Sequence, residues 1–312
     1  MNNTDIENFC TALIKEEVLP ILQSNYSALY NNAREHGDDF FNAPSSAAAF
    51  KDDGKGLVSA GEIEAERVFR QKFTTRFPEF KVYGEELGDE DSDKDYTLVI
   101  DPVDGTSAMI TSIIDPQTPR GFGITLGFMN GEDFVGGLIY ELLPAEDTLK
   151  LGAIYSGWQS APQQTAKDAP FSTLISTAPE VMFETNNERN AFHTLERAAT
   201  NTITARNCMG FIDAITTSGA CAIEADLSIH DIAALIPILH NAGLHVTKHD
   251  GTPITFEGAQ HEYQILTAAP KCHAQVLKLY QSALKAAPME IDEASTLINA
   301  GSLNTKKFKT EN

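Results

Sequence analysis

The chemistry of this chain concentrates in Asp101-Pro102-Val103-Asp104-Gly105-Thr106. The stretch follows Leu98-Val99-Ile100, an apolar run that predicts a strand, so Asp101 stands where a strand opens into a loop. In layered α/β proteins that edge is where ligands bind. Two carboxylates three residues apart, with a proline stiffening the turn, can aim at one point together with the Val103 carbonyl between them. Such an oxygen-only environment suits a hard cation such as Mg²⁺. Gly105 and Thr106 then offer backbone N–H groups at the start of a helical turn, where a phosphate can be held. A solvated acidic turn would use the same residues, so the reading depends on what else can reach them.

Three further acids can. Glu85 ends a short strand 16 residues earlier, after Gly84, and neighbouring strand ends would bring it beside Asp101. Asp231 stands at the mouth of an apolar helix, where a plain N-cap is the competing explanation. Glu62 lies in the first turn of its helix, where favourable interaction with the helix dipole would suffice as a reason.

The elements that must position these groups are legible from periodicity. Ile6, Phe9, Cys10, Leu13 and Ile14 form a helical stripe within residues 5–30, which Pro20 would kink or end. Residues 34–56 are polar and small and predict a loop or hairpin. A second helix starts at Ser59 as N-cap and stops at Pro78. Strands follow at 81–83 and 98–100, then a hairpin of 122–129 and 134–140 about Asn130-Gly131. Further strands are expected near 148–154, 172–177, 202–205, 220–226, 244–247 and 263–268. Helices are expected near 182–199, 209–219, 231–242 and 271–287, with Gly243 as the C′ residue of the third. This order predicts an α/β (α+β layered) fold, alternating layers of helices and sheets, with one cleft shared by two α/β halves. We expect a single unit over 1–302, with a metal-binding half at about 5–178, a substrate half at 179–290, and a flexible tail at 303–312.

Composition narrows the function. The 312 residues carry 44 acids against 23 bases, a net charge of −21. That balance argues against nucleic acid or an anionic membrane as a standing partner. No apolar run reaches the roughly 18 residues of a membrane span, and the N-terminus lacks the basic and apolar regions of a secretory signal, so a cytoplasmic location is expected. The four cysteines are scattered with no Cys-x-x-Cys, which predicts buried thiols. Phosphate-loop, serine-elbow, zincin and dinucleotide motifs are missing, which leaves the chemistry to acids.

Taken together these residues resemble the inositol monophosphatase superfamily of Mg²⁺-dependent, often lithium-sensitive phosphatases. Gly84-Glu85-Glu86, Asp-Pro-Val-Asp-Gly-Thr, and Asp231-Ile232-Ala233-Ala234 with Ala242-Gly243 carry the likeness, which covers roughly 5–290. Asn207-Cys208-Met209-Gly210-Phe211, Glu224 and the run from Asp231 to Pro237 look most like the histidinol-phosphatase branch. The resemblance implies a sugar-phosphatase fold and two or three Mg²⁺ ions, with Mn²⁺ as a substitute. It implies metal ligation by Glu85, Asp101, the Val103 carbonyl, Asp104 and Asp231, and activation of water by Glu62 with Thr106. It implies substrate contacts from Lys51, Gly105, Thr106, Ser107, Asn207 and Glu224. A small phosphorylated alcohol as substrate and a homodimer are also implied.

Departures from the pattern bear on the substrate. Glu62 replaces an Asp, so Glu62→Asp is expected to leave catalysis intact. His230 replaces an aromatic residue before Asp231, as a packing substitution. Ser107 replaces a basic residue, and Asn207 an Asp, which leaves Glu224 beside a neutral amide for an amine-bearing substrate. The segment Thr111 to Arg120 lengthens the usual loop. The expected activity is hydrolysis of a histidinol-, inositol- or sugar-type phosphate. A 3′-nucleotide phosphatase and a non-catalytic metal- or ligand-binding relative are the alternatives.

Overall fold

The computed structural model describes residues 2–37, 48–50, 57–115, 121–161, 163–176, 183, 185–204 and 207–286. Lys51 and the expected tail at 303–312 lie outside the described residues, as does part of the Thr111–Arg120 segment. The N-terminal stripe forms α1 (Asn3–Leu13) and α2 (Leu19–His36), joined without a break by a π-helical turn at Ile14–Val18. Pro20 does not end the helix: it follows directly on the π-helical turn, where the Leu19 N–H bonds back to the Ile14 carbonyl and the regular ladder is already interrupted. Strands β1 (Ala48–Phe50) and β2 (Leu57–Ser59) pair as the hairpin, and α3 (Ala60–Arg76) starts at the Ser59 cap.

Six strands make the first sheet: β3 (Phe80–Gly84), β4 (Gly88–Asp89), β5 (Tyr96–Asp104), β6 (Phe122–Asn130), β7 (Asp133–Ala145) and β8 (Thr148–Trp158). Their order is β4-β3-β5-β6-β7-β8, with β3 and β5 parallel and the other pairs antiparallel. Helix α4 (Thr106–Ile114) follows β5 at once. The second sheet contains β9 (Thr173–Ser176), β10 (Asn201–Thr204), β11 (Ala220–Leu227), β12 (His245–Thr247) and β13 (Tyr263–Ala268), in the order β10-β9-β11-β13-β12. Helices α5 (Asn186–Ala198), α6 (Cys208–Thr216), α7 (Ile229–Ile232), α8 (Leu235–Asn241) and α9 (Pro270–Lys285) complete the described elements.

Three apolar clusters define the layers. Leu98 and Ile100 of β5 face Phe69, Phe73 and the N-terminal helices, whereas Val99 faces the other way. That second face meets Ile212, Leu235 and Leu239 of α6 and α8, which also cover Ile175, Ala222 and Ile265 of the second sheet. The outer face of the second sheet (Leu174, Ile223, Leu266) packs on Phe192, Leu195, Val276 and Tyr280 of α5 and α9. Helices and sheets therefore alternate, with α6–α8 as the shared middle layer. A sheet covered on both faces explains why β5 reads as continuously apolar.

Two boundaries differ from expectation. Strand β9 at 173–176 pairs with β10 and β11, so the chain changes sheet between Trp158 and Thr173, ahead of the break expected at 178. The helix expected at 231–242 is two short helices, α7 and α8, because Pro237 has no N–H to donate to the Ala233 carbonyl.

Candidate active site

Asp101 and Asp104 stand at the end of β5, at the point where its ladder with β6 shifts register between them. The irregularity turns both side chains inward, leaving Asp101 2% and Asp104 6% exposed. The Val103 N–H donates to Asp101 Oδ1 at 2.8 Å, closing the turn that the proline stiffens. Asp231 arrives from the middle layer on α7. Its helix is capped by Ser228, and the Ser228 N–H donates to Asp231 Oδ2 at 2.5 Å. The cap predicted at Asp231 is thus one of its contacts, but from the third helical position. Oxygens of Asp101, Asp104 and Asp231 all lie within 4.8 Å of one another. Glu85, just past β3, is hydrogen-bonded to Asp101.

Crowding and burial penalise the charged form of these carboxyls. Burial, then the charges of Glu85 and Asp104, raises the Asp101 carboxyl well above the ordinary range. Burial and Asp231 push Asp104 up to about 8, opposed by hydrogen bonds from Cys208. Asp231 is raised by burial and by Glu85. An all-oxygen cluster that repels its own charges, beside the Val103 carbonyl, fits a hard divalent cation.

Glu62 lies on the neighbouring helix and is fully buried. Its Oε2 accepts from the Ser59 N–H at 2.6 Å, while Ser59 Oγ caps α3 through the Glu62 N–H. Its Oε1 accepts from the Thr106 hydroxyl, which also lies 3.2 Å from the Val103 carbonyl. Burial dominates over these hydrogen bonds and brings the Glu62 carboxyl to about 8. Thr106 opens α4, preceded by Gly105 at φ 100 in the left-handed region. A Cβ at Gly105 would come 2.6 Å from Asn207 Nδ2, so only glycine fits there. Ser107 is exposed in the same first turn.

Asn207 caps α6, accepting from the Met209 N–H at 3.2 Å, and its Nδ2 donates to the Gly121 carbonyl. Its amide is thereby engaged at both ends. Glu224 is buried on β11. His230 brings Nε2 to 3.6 Å from Asp89 Oδ1, tying α7 to the strand that follows Glu85.

Several residues here escaped the sequence. Glu66, fully buried one turn after Glu62, accepts from the Glu86 N–H at 2.8 Å and the Leu87 N–H at 3.2 Å, and pairs with Arg70 at 2.7 Å. Its oxygen fills the space where a Gly84 side chain would be, so it moulds the turn that presents Glu85. The i+4 spacing from Glu62 was the available signal. Cys208 donates its N–H to Asp104 Oδ2 at 2.5 Å, joining α6 to β5. The cysteines are free and buried as expected, and no residue type announces that contact.

The model of the inositol monophosphatase family matches residues 2–285. A fructose-1,6-bisphosphatase/inositol-1-monophosphatase of Aquifex aeolicus is 33% identical over 99 residues, 32% of this chain and 34% of that protein, so the match spans about a third of that relative. A histidinol-phosphatase of Chlorobaculum parvum is 25% identical over 213 residues, 66% of this chain and 77% of that protein. A crystal structure of staphylococcal inositol monophosphatase-1, an inhibitory complex soaked in LiCl, shares the fold with a TM-score of 0.65 at 16% identity, covering 89% of this chain and 95% of that one. No described helix is long and apolar enough to cross a membrane. The chain belongs to the inositol monophosphatase family, a family of magnesium-dependent phosphoric monoester hydrolases.

Proposed function

We propose that this protein hydrolyses the phosphate monoester of a small alcohol, with Glu85, Asp101, the Val103 carbonyl, Asp104 and Asp231 holding Mg²⁺, or Mn²⁺ in its place. The observation that carries the reading is the meeting of the three-aspartate cluster with the Glu62–Thr106 pair at the start of α4. Bound divalent ions would neutralise phosphate charge and acidify water. The chain's own residues supply the rest. The first N–H groups of α4 have no partner within the helix and face a phosphate at its N-terminus. Thr106 donates its hydroxyl hydrogen to Glu62, which leaves its oxygen lone pairs to accept from the attacking water. As the water oxygen bonds to phosphorus, the bond from phosphorus to the alcohol oxygen breaks; the water's proton passes to Thr106 Oγ1 while the threonine proton passes to Glu62 Oε1, and the departing alkoxide takes a proton from solvent water. Burial that raises the Glu62 carboxyl to about 8 makes its ionised form a stronger base, and divalent cations bound beside it would favour that ionised form.

For the alcohol part, Asn207 offers no carboxylate to an amine, and its amide oxygen is taken by the Met209 N–H. Glu224 is the acid assigned to the alcohol part. With the Asn207 amide held by the cap and by the Gly121 carbonyl, the pair lacks the second carboxylate that would favour an amine, so a neutral polyol phosphate of the inositol or sugar type is assigned ahead of histidinol phosphate. Phosphate release over a panel of both kinds, with and without Mg²⁺, tests the reading. Asp101→Asn should abolish turnover, while metal-free stability holds or rises because the variant removes a carboxyl whose ionisation is penalised by burial and by its acidic neighbours. Full activity in that variant, or in chelated wild type, would overturn the proposal.

A further inference from the structure

Strand β11 carries Glu224 and delivers the chain to Asp231, yet its ladder with β13 is interrupted between them. Glu224 pairs with Ile265 and Leu227 with Tyr263, so three steps on β11 oppose two on β13. The extra residue forms a β-bulge. Within it Asp226 takes φ 57, a left-handed conformation uncommon outside glycine. A bulge leaves backbone groups without ladder partners, and buried carbonyls need a donor.

His249 supplies it from the turn after β12. Its Nε2 lies 2.9 Å from the Glu224 carbonyl and 3.3 Å from the Ile265 carbonyl, one on each strand. Both partners only accept, so the proton sits on Nε2 and is shared between them. The ring is 4% exposed, with ring centroids of Phe183 at 5.7 Å and Tyr280 at 5.5 Å. Burial drives its pKa down to about 4, so the imidazole is neutral and the donor stays on one atom across the working range. Its turn is itself braced: Lys248 N–H donates to the Thr252 carbonyl at 2.8 Å, and Thr252 N–H to Asp250 Oδ1 at 2.8 Å.

We propose that His249 is a positioning residue for substrate choice: its Nε2–H clamps the two carbonyls across the bulge and holds Glu224 in the register that meets the alcohol part of the substrate. This rests on the reading of Glu224 as a substrate contact. A residue that merely filled the third apolar cluster would lower stability and damage every substrate alike. A clamp acting through Glu224 has a narrower signature.

The test compares His249→Phe, which keeps the ring and removes the donor, with His249→Gln, whose amide N–H replaces Nε2–H. The substrates are the best alcohol phosphate from the panel and p-nitrophenyl phosphate, whose leaving group gives Glu224 nothing to bind. In His249→Phe the ratio of kcat/KM for the alcohol phosphate over p-nitrophenyl phosphate should fall about three- to tenfold, the scale of one hydrogen bond. The fall should reside in KM, and His249→Gln should recover most of it. Combined with Glu224→Gln, His249→Phe should add almost nothing. Mn²⁺ binding followed by electron paramagnetic resonance should stay within about twofold. If His249→Phe does not fold, His249→Asn, with an amide too short to span both carbonyls, replaces it. An unchanged ratio, or equal loss on both substrates, overturns the clamp while Glu224→Gln still lowers the ratio. An effect fully additive with Glu224→Gln overturns it too. A silent Glu224→Gln removes the underlying assignment of Glu224, and the clamp with it.

Discussion

Glu62 is longer by one methylene than the family side chain, and the structure gives that methylene a use. The carboxylate reaches back to the Ser59 N–H with one oxygen and forward to the Thr106 hydroxyl with the other. From the sequence alone, Glu62→Asp is expected to be harmless. The capping box reverses that expectation, because a shorter side chain at the third helical position cannot hold both partners. We expect Glu62→Asp to lose roughly 1 kcal/mol of stability, the scale of a cap, and to lower kcat through a misplaced Thr106. Glu62→Gln keeps the shape but cannot take a proton, so kcat should fall about 10²–10⁴-fold with a smaller change in thermal midpoint. Equal kcat for Glu62→Gln and wild type would reduce Glu62 to a structural cap. At this scale the candidate acids were readable because carboxylates at strand ends are conspicuous. Glu66, Cys208 and His249 were not, since each contact runs through a backbone group whose position only the folded chain defines.

Among the elements, a row of glycines explains how Asp231 comes so near the first sheet. Gly127 on β6 pairs with Gly137 on β7, which pairs with Gly157 on β8. A Cβ at Gly127 would lie 2.7 Å from the Ala233 carbonyl carbon, and one at Gly137 would overlap the Ala234 carbonyl. At Gly157 it would come 2.6 Å from the Pro237 carbonyl carbon. The bare strip lets the α7–α8 pair lie directly on the sheet backbone. Periodicity revealed most strands and helices, and the Asn130-Gly131 hairpin was explicit. It could not reveal the strip, because glycines ten and twenty residues apart align only once register is set. Nor could it reveal the π-helical turn or the β11 bulge, which leave the apolar pattern almost intact. Gly137→Ala should therefore destabilise the protein by about 1–3 kcal/mol, as overpacking does. By lifting α7 it should also weaken Mn²⁺ binding several-fold. Thermal unfolding and metal titration of that variant, in parallel, would reject the idea if metal affinity stayed at the wild-type value.

Across the whole molecule, the buried carboxylates couple folding to pH and to cations. Glu62 and Asp104 are brought to about 8, and Asp101 and Asp231 are also raised. In the unfolded chain the same groups release their protons near pH 4. Between pH 4 and 8 the native metal-free protein thus binds more protons than the unfolded chain, and stability must fall as pH rises. Above about 8 Glu62 and Asp104 ionise in the native protein as well, and their part of the loss is complete. The remaining acidic surface, part of a net charge of −21, repels itself in the same direction. A divalent ion that binds only the native state adds about 2.7 kcal/mol at a hundredfold excess over its Kd. Because it competes with those protons, its effect should grow with pH. The thermal midpoint without metal should therefore drop from pH 5 to pH 8, and Mg²⁺ should raise it by roughly 5 °C or more at pH 8 yet little at pH 5. In Asp101→Asn the metal-free decline should be shallower and the Mg²⁺ gain should largely vanish, because one of the groups that links protons to the ion is gone. A Mg²⁺ effect independent of pH, or undiminished in that variant, would place the ion somewhere other than this cluster.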